Sequence, residues 1–121
     1  MGRVAHFELP AADVKRAVKF YEDVFGWRIE KWSGSDYWLI MTGEDPEPGI
    51  DGAIMPRTEA DNVVRNIIDV ESLDESLAKV EAAGGTVVDP KMPVPGVGWL
   101  AYFADSEGNV SGLMESDPAA E

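Results

Sequence analysis

The chain contains no cysteine among its 121 residues. That excludes disulfides, zinc–thiolate centres and thiol nucleophiles, and it suits a reducing, cytoplasmic setting. Basic residues are also scarce, with 10 Lys and Arg against 23 Asp and Glu, for a formal net charge of −13. Nucleic-acid binding depends on cations that neutralise phosphates, so that class is excluded; the acidity is read first as a means of keeping the protein soluble, with cationic partners as the alternative. The third lack is of long apolar runs: none approaches the roughly 20 residues needed to cross a bilayer. The N-terminus enters strand-like sequence at once, so neither a leader nor membrane association is expected. No serine sits in a nucleophile elbow and no glycine-rich loop opens a helix, because Gly96-Val97-Gly98 precedes a strand.

What is present is a repeat. The segment Val4 to Gly26 and the segment Val63 to Gly85 follow the same course at an offset of 59 residues, which aligns Asp13 with Ser72, Val18 with Leu77, Tyr21 with Val80 and Gly26 with Gly85. Each copy is an apolar stretch followed by a capped helical pattern. In the first, Asp13 is the N-cap, Val14, Ala17, Val18, Tyr21, Val24 and Phe25 form an apolar stripe, and Gly26 is the left-handed terminator. In the second, Ser72-Leu73-Asp74-Glu75 has the form of a capping box, Leu73, Leu77 and Val80 share a face, and Gly84-Gly85 ends the helix.

After each helix three strands are expected: Trp27 to Trp32, Tyr37 to Met41 and Ile50 to Met55, then Thr86 to Val88, Trp99 to Phe103 and Asn109 to Met114. Gly34-Ser35 and Asp105-Ser106-Glu107-Gly108 read as turns, and Glu44 to Gly49 and Pro90 to Gly98 as longer loops. The pattern therefore predicts an α+β domain over 1–116 made of two tandem βαβββ modules, about 1–57 and about 61–116, with a frayed tail over 117–121. A duplicated module creates a cleft, and that is where a ligand is expected.

Three pieces carry a family resemblance: His6 followed seven residues later by Asp13, the run Phe20-Tyr21-Glu22-Asp23-Val24-Phe25-Gly26-Trp27, and the late run from Pro93 to Gly98 leading to Ala104-Asp105-Ser106-Glu107-Gly108. These resemble the vicinal oxygen chelate superfamily, which includes glyoxalase I, extradiol dioxygenases, fosfomycin-modifying enzymes and bleomycin-binding resistance proteins. The resemblance implies curved mixed sheets around a cavity, a homodimer, and in enzymatic members a divalent metal held by four His or Glu ligands. The first ligand position falls on His6. Its counterpart in the second module is Arg65, the last-strand position is Gly112, and the fourth lies within Gly52-Ala53-Ile54-Met55, where no hard donor is present.

The expectation is therefore a small-molecule-binding member of the glyoxalase and bleomycin-resistance type, without a cofactor. The alternative is a glyoxalase-like lyase or isomerase, or a dioxygenase, in which His6 and Glu8 work with zinc, nickel, iron or manganese or as an acid–base pair. Asp51, Asp69 and Glu115 are the substitute carboxylates. Arg65, Trp38, Trp99, Tyr37, Tyr102 and Met114 are the expected ligand-binding residues, with aromatic faces suited to flat or cationic molecules.

Overall fold

The computed structural model describes residues 2–59 and 62–121; Met1, Ala60 and Asp61, among them the expected first residues of both modules, lie outside the described residues. Two compact units are present, one of residues 6–65 and one of residues 66–121 together with the first five. The N-terminus belongs with the latter because the Gly2 amide donates to the Asp69 carbonyl at 2.7 Å.

The first module comprises β1 (Arg3–Ala11), α1 (Val14–Phe25), β2 (Arg28–Lys31), β3 (Trp38–Met41) and β4 (Asp51–Pro56). Its strands lie in the order β2-β3-β4-β1, with β4 parallel to β1 and the other pairs antiparallel. The second comprises β5 (Arg65–Asp69), α2 (Leu73–Ala82), β6 (Thr86–Val94), β7 (Gly98–Ala104) and β8 (Val110–Ser116). Its order, β6-β7-β8-β5 with β8 parallel to β5, is the same topology. The fold class is α+β, two tandem βαβββ modules, as the repeat predicts.

The repeat extends into the register. Glu8 lies opposite Ala53 and Ile67 opposite Gly112, each pair displaced from the other by 59 residues. The third strand departs from this: Trp38 faces Ile54 whereas Ala101 faces Leu113, so Trp38 and Ala101 differ by 63. The extra residues are taken up in β6, which is nine residues long and shifts register twice against β7. Pro90 to Val94, expected as loop, is thus irregular strand, since bulges accommodate prolines on a strand that pairs along one side.

Each module has its own core. Around α1, residues Val14, Ala17, Val18 and Tyr21 meet Phe7, Leu9 and Ala11 of β1 and Ile29, Ile40 and Ile54 of the neighbouring strands. Asp13 caps this helix by accepting from the Arg16 amide at 3.1 Å, and Gly26 closes it at φ 68°. The stripe is shorter than its sequence pattern, because Val24 and Phe25 remain exposed. Around α2, fully buried Leu73 and half-buried Leu77 meet Ile68, Val70, Ala101, Phe103 and Leu113. Ser72 accepts from the Glu75 amide at 3.2 Å, and the Glu115 carboxylate takes the Leu73 amide at 2.8 Å. Two orphan donors of the helix start are thereby satisfied.

Two further differences from expectation concern chain segments. The second module's first strand begins at Arg65, and Val63 and Val64 precede it with exposed side chains. The tail, expected to fray, is tied to the β6–β7 turn: the Asp117 amide donates to the Val97 carbonyl, the Gly96 amide to the Ala120 carbonyl, and Ala120 is buried.

Candidate functional site

Strand alternation decides what each sheet shows on the side away from its helix. On β1, Phe7, Leu9 and Ala11 are taken by the core, so His6 and Glu8 face the other way. On β3 and β2 the core takes Trp38, Ile40 and Ile29, which leaves Tyr37 and Trp32 in phase with the helix-free face. Tyr37 immediately precedes β3, where its carbonyl accepts from the Trp32 amide at 2.9 Å.

The result is a polar centre on the first module. The Tyr37 hydroxyl donates to Glu8 Oε2 at 2.9 Å, and His6 Nε2 lies 3.1 Å from the same hydroxyl oxygen. A phenol has one proton, and here it goes to the carboxylate. With the proton placed there, the Nε2–H tautomer of His6 completes a directed chain from imidazole to phenol to carboxylate. Glu8 is only 4% exposed, and Arg65, the last residue of the same compact unit, is equally buried. Two side chains of opposite formal charge are thus held out of water in one unit, an arrangement that is costly unless each is paired or hydrogen-bonded.

The other expected residues are distributed by the same alternation. Trp38 packs in the first core, with Lys31 Nζ 6.0 Å from its ring centre. Trp99 packs in the second, its indole N–H donating to Asp117 at 3.0 Å and Lys91 Nζ 4.7 Å over its ring. Both tryptophans therefore occupy helix-packed faces. Tyr102 and Met114 lie on the helix-free face of the second module, since their neighbours Ala101 and Leu113 fill its core. By register, the second module's counterparts of His6, Glu8 and Tyr37 are Arg65, Ile67 and Leu100, so the polar centre exists in one copy only.

The family's metal positions can be tested against this geometry. His6 Nε2 lies against the Tyr37 hydroxyl, and coordination through it requires displacing Tyr37. Arg65 cannot coordinate. The register equates Gly112 with Ala53, which identifies the fourth position as a buried residue without a donor. Nor is Gly112 an empty cradle, because a Cβ there would run into Ile67 Cδ1 and come within 3.2 Å of the Tyr102 ring. Among the substitutes, Asp51 accepts from the Thr42 amide at 3.0 Å and Glu115 caps α2. At the four family positions only His6 offers a donor atom, a set that does not fit a four-ligand divalent metal.

Trp32 is the residue that sequence reasoning left out of the site. Its half-buried ring stands edge-on to Tyr37, centres 6.4 Å apart, and takes no part in the first core. The signal was its even spacing with Glu30 and Arg28, opposite in phase to core residue Ile29.

The comparisons agree with this architecture. The family model described as bleomycin resistance protein-like N-terminal matches residues 3–43. A glyoxylase-like domain-containing protein of Didymella fabae is 27% identical over 118 residues, which cover 93% of this chain and 92% of that protein. A putative glyoxylase of Mycobacterium bovis, CFP32, is 29% identical over 105 residues covering 84% of this chain. The match takes in 40% of CFP32, so this chain spans well under half of that relative. The crystal structure of methylmalonyl-CoA epimerase from Mycobacterium tuberculosis has the same fold, with a TM-score of 0.71 at 16% identity, covering 94% of this chain and 87% of that one. Its duplicated βαβββ topology and these likenesses give the chain the fold of the vicinal oxygen chelate proteins and a glyoxalase-like and bleomycin-resistance-like sequence character.

Proposed function

We propose that the protein is a metal-independent small-molecule binder of the glyoxalase and bleomycin-resistance type. Its ligand lies on the helix-free face of the first module, with its polar end at His6, Tyr37 and Glu8 and with Arg65 as the balancing cation. The observation that carries this reading is the hydrogen-bonded His6–Tyr37–Glu8 chain standing where superfamily enzymes place a metal ligand, while the remaining ligand positions are Arg65, Ala53 and Gly112. A pre-ordered donor–acceptor chain orients a polar group without a Lewis acid. Tyr102 and Met114, on the helix-free face of their own module, are proposed as ligand-binding residues of that module by itself. The protein works as a cytoplasmic homodimer, without nucleic-acid or membrane partners. The absence of any described helix long and apolar enough to cross a membrane is compatible with that placement.

Titration of small acidic and basic molecules, followed by tryptophan fluorescence and calorimetry, tests the reading. Arg65→Ala should weaken acidic ligands and Glu8→Gln basic ones, each by about tenfold or more if a buried charge-assisted hydrogen bond is lost. Elemental analysis of the purified protein should find no stoichiometric divalent metal. One zinc, nickel, iron or manganese per chain, lost on His6→Ala, would replace this reading with the metalloenzyme.

A further inference from the structure

The aromatic pair beside the polar centre points to the chemical class of ligand, an inference that rests on the helix-free face of the first module being the binding site. Trp32 and Tyr37 are joined through the backbone, and the turn between them is held in an uncommon shape. Ser33 adopts φ 46° and Gly34 φ 76°, while the Ser35 amide and hydroxyl both donate to the Trp32 carbonyl at 3.0 and 2.8 Å. The Tyr37 amide in turn donates to Ser35 Oγ at 3.3 Å. A non-glycine residue at positive φ costs energy, and such strain is retained where the surroundings need the geometry it produces. What it produces here is a fixed angle of 73° between the two rings.

The electrostatics of this corner favour positive charge. Tyr37 donates its proton to the Glu8 carboxylate, which makes the phenol more electron-rich, and the indole face beside it is negative by its quadrupole. Because Trp32 is half-buried yet outside the core, its face can be covered by a ligand without unpacking the fold. The excess of acidic residues over the whole chain draws cations toward the surface. Arg65 lies in the same compact unit and acts in the opposite direction, which makes charge preference the quantity to measure.

We propose that Trp32 and Tyr37 form a platform for a flat, positively charged aromatic ring system, with Trp32 as the residue that selects charge and shape. Indole is the best of the aromatic side chains at holding a cation over its face, and a planar cation also gains from stacking.

The probes are N-methylquinolinium and quinoline, which share shape and differ in charge at pH 7.5. Both are titrated calorimetrically at physiological salt into the full chain and into Trp32→Leu, Trp32→Phe and Glu8→Gln, all net-charge controls being made by comparison with Trp32→Leu. The wild type should prefer the cation, Trp32→Leu should lose about tenfold of its affinity and most of the preference, and Trp32→Phe should lose only a few-fold. A Trp32 with a merely structural role would lower affinity for both probes alike and leave the preference intact, and that result overturns the proposal. So does a wild type that binds the two probes equally or binds neither. If Trp32→Leu is silent while Glu8→Gln weakens binding, the platform falls and the binding face stands; if neither variant alters binding, both fall.

Discussion

Tyr37 is the residue on which the first module's polar chemistry turns, because its single hydroxyl joins a base and an acid that lie two positions apart on one strand. The chain has one histidine, so its imidazole nitrogens can be observed without overlap. Nitrogen-detected NMR should find the Nε2–H form in the wild type, and Tyr37→Phe should redistribute the tautomers; a wild type dominated by Nδ1–H would show that His6 does not donate to Tyr37. The same substitution should cost about 1–2 kcal/mol in urea unfolding, since it removes a hydrogen bond to a buried carboxylate. Gly112 gives a converse prediction. Gly112→Glu, which formally restores a metal ligand, should destabilise the fold by at least about 1–3 kcal/mol through collision with Ile67 and Tyr102, and should not raise zinc affinity. The residue types at these positions were readable in the sequence. That Ile67 and Tyr102 fill the space over Gly112 was not, because it depends on two strands meeting in a particular register.

Among the elements, α2 shows how a short helix is held at both levels of structure. Ser72 caps it locally, as the sequence predicts, whereas Glu115 caps it from β8 across 42 residues. Ser72→Ala should therefore cost about 1 kcal/mol. Leu73→Ala, which empties a fully buried site at the same end, should cost about 3 kcal/mol and lower the midpoint of urea denaturation without changing its slope. The C-terminal segment supplies a pH-dependent element. The Trp99 indole N–H first, and the Ala119 amide after it, hold the Asp117 carboxyl below the usual carboxylate range, against a smaller opposing effect of desolvation. A folded-state value below the unfolded one means that the stabilisation is complete above about pH 4 and is lost as pH falls through the depressed value. The difference in Tm between the wild type and Asp117→Asn should accordingly shrink on acidification below that point. A constant difference would place the tail's attachment in its backbone hydrogen bonds alone. The docking of this segment escaped sequence reading because Asp, Pro and Ala carry no apolar pattern, and its partners lie in the β6–β7 turn.

For the whole molecule the duplication is the organising fact, and its two copies differ in the residues that they present. The first keeps a polar helix-free face, and the second presents Ile67, Leu100, Tyr102 and Met114 on the corresponding side. Exposed Phe20, Val24 and Phe25 on α1 exceed what the first core uses, and with the expected pairing of superfamily members they predict a homodimer. Sedimentation at micromolar concentration should show a species of twice 13.2 kDa, and a monomer would contradict it. The sequence by itself determined the helices, their caps, the repeat and hence the paired βαβββ topology, because these follow from local periodicity and from residues that satisfy their own backbone. It also marked His6, Glu8 and Arg65. Only the tertiary structure decided which aromatics serve the core. Trp38 and Trp99 share parity with Ile40 and Ala101, which pack under the helices, while Tyr37 and Trp32 fall out of phase with them. The physical reason is that a strand's period of two assigns alternate residues to opposite faces but does not say which face a helix will cover, and that choice is made by packing between elements distant in the chain.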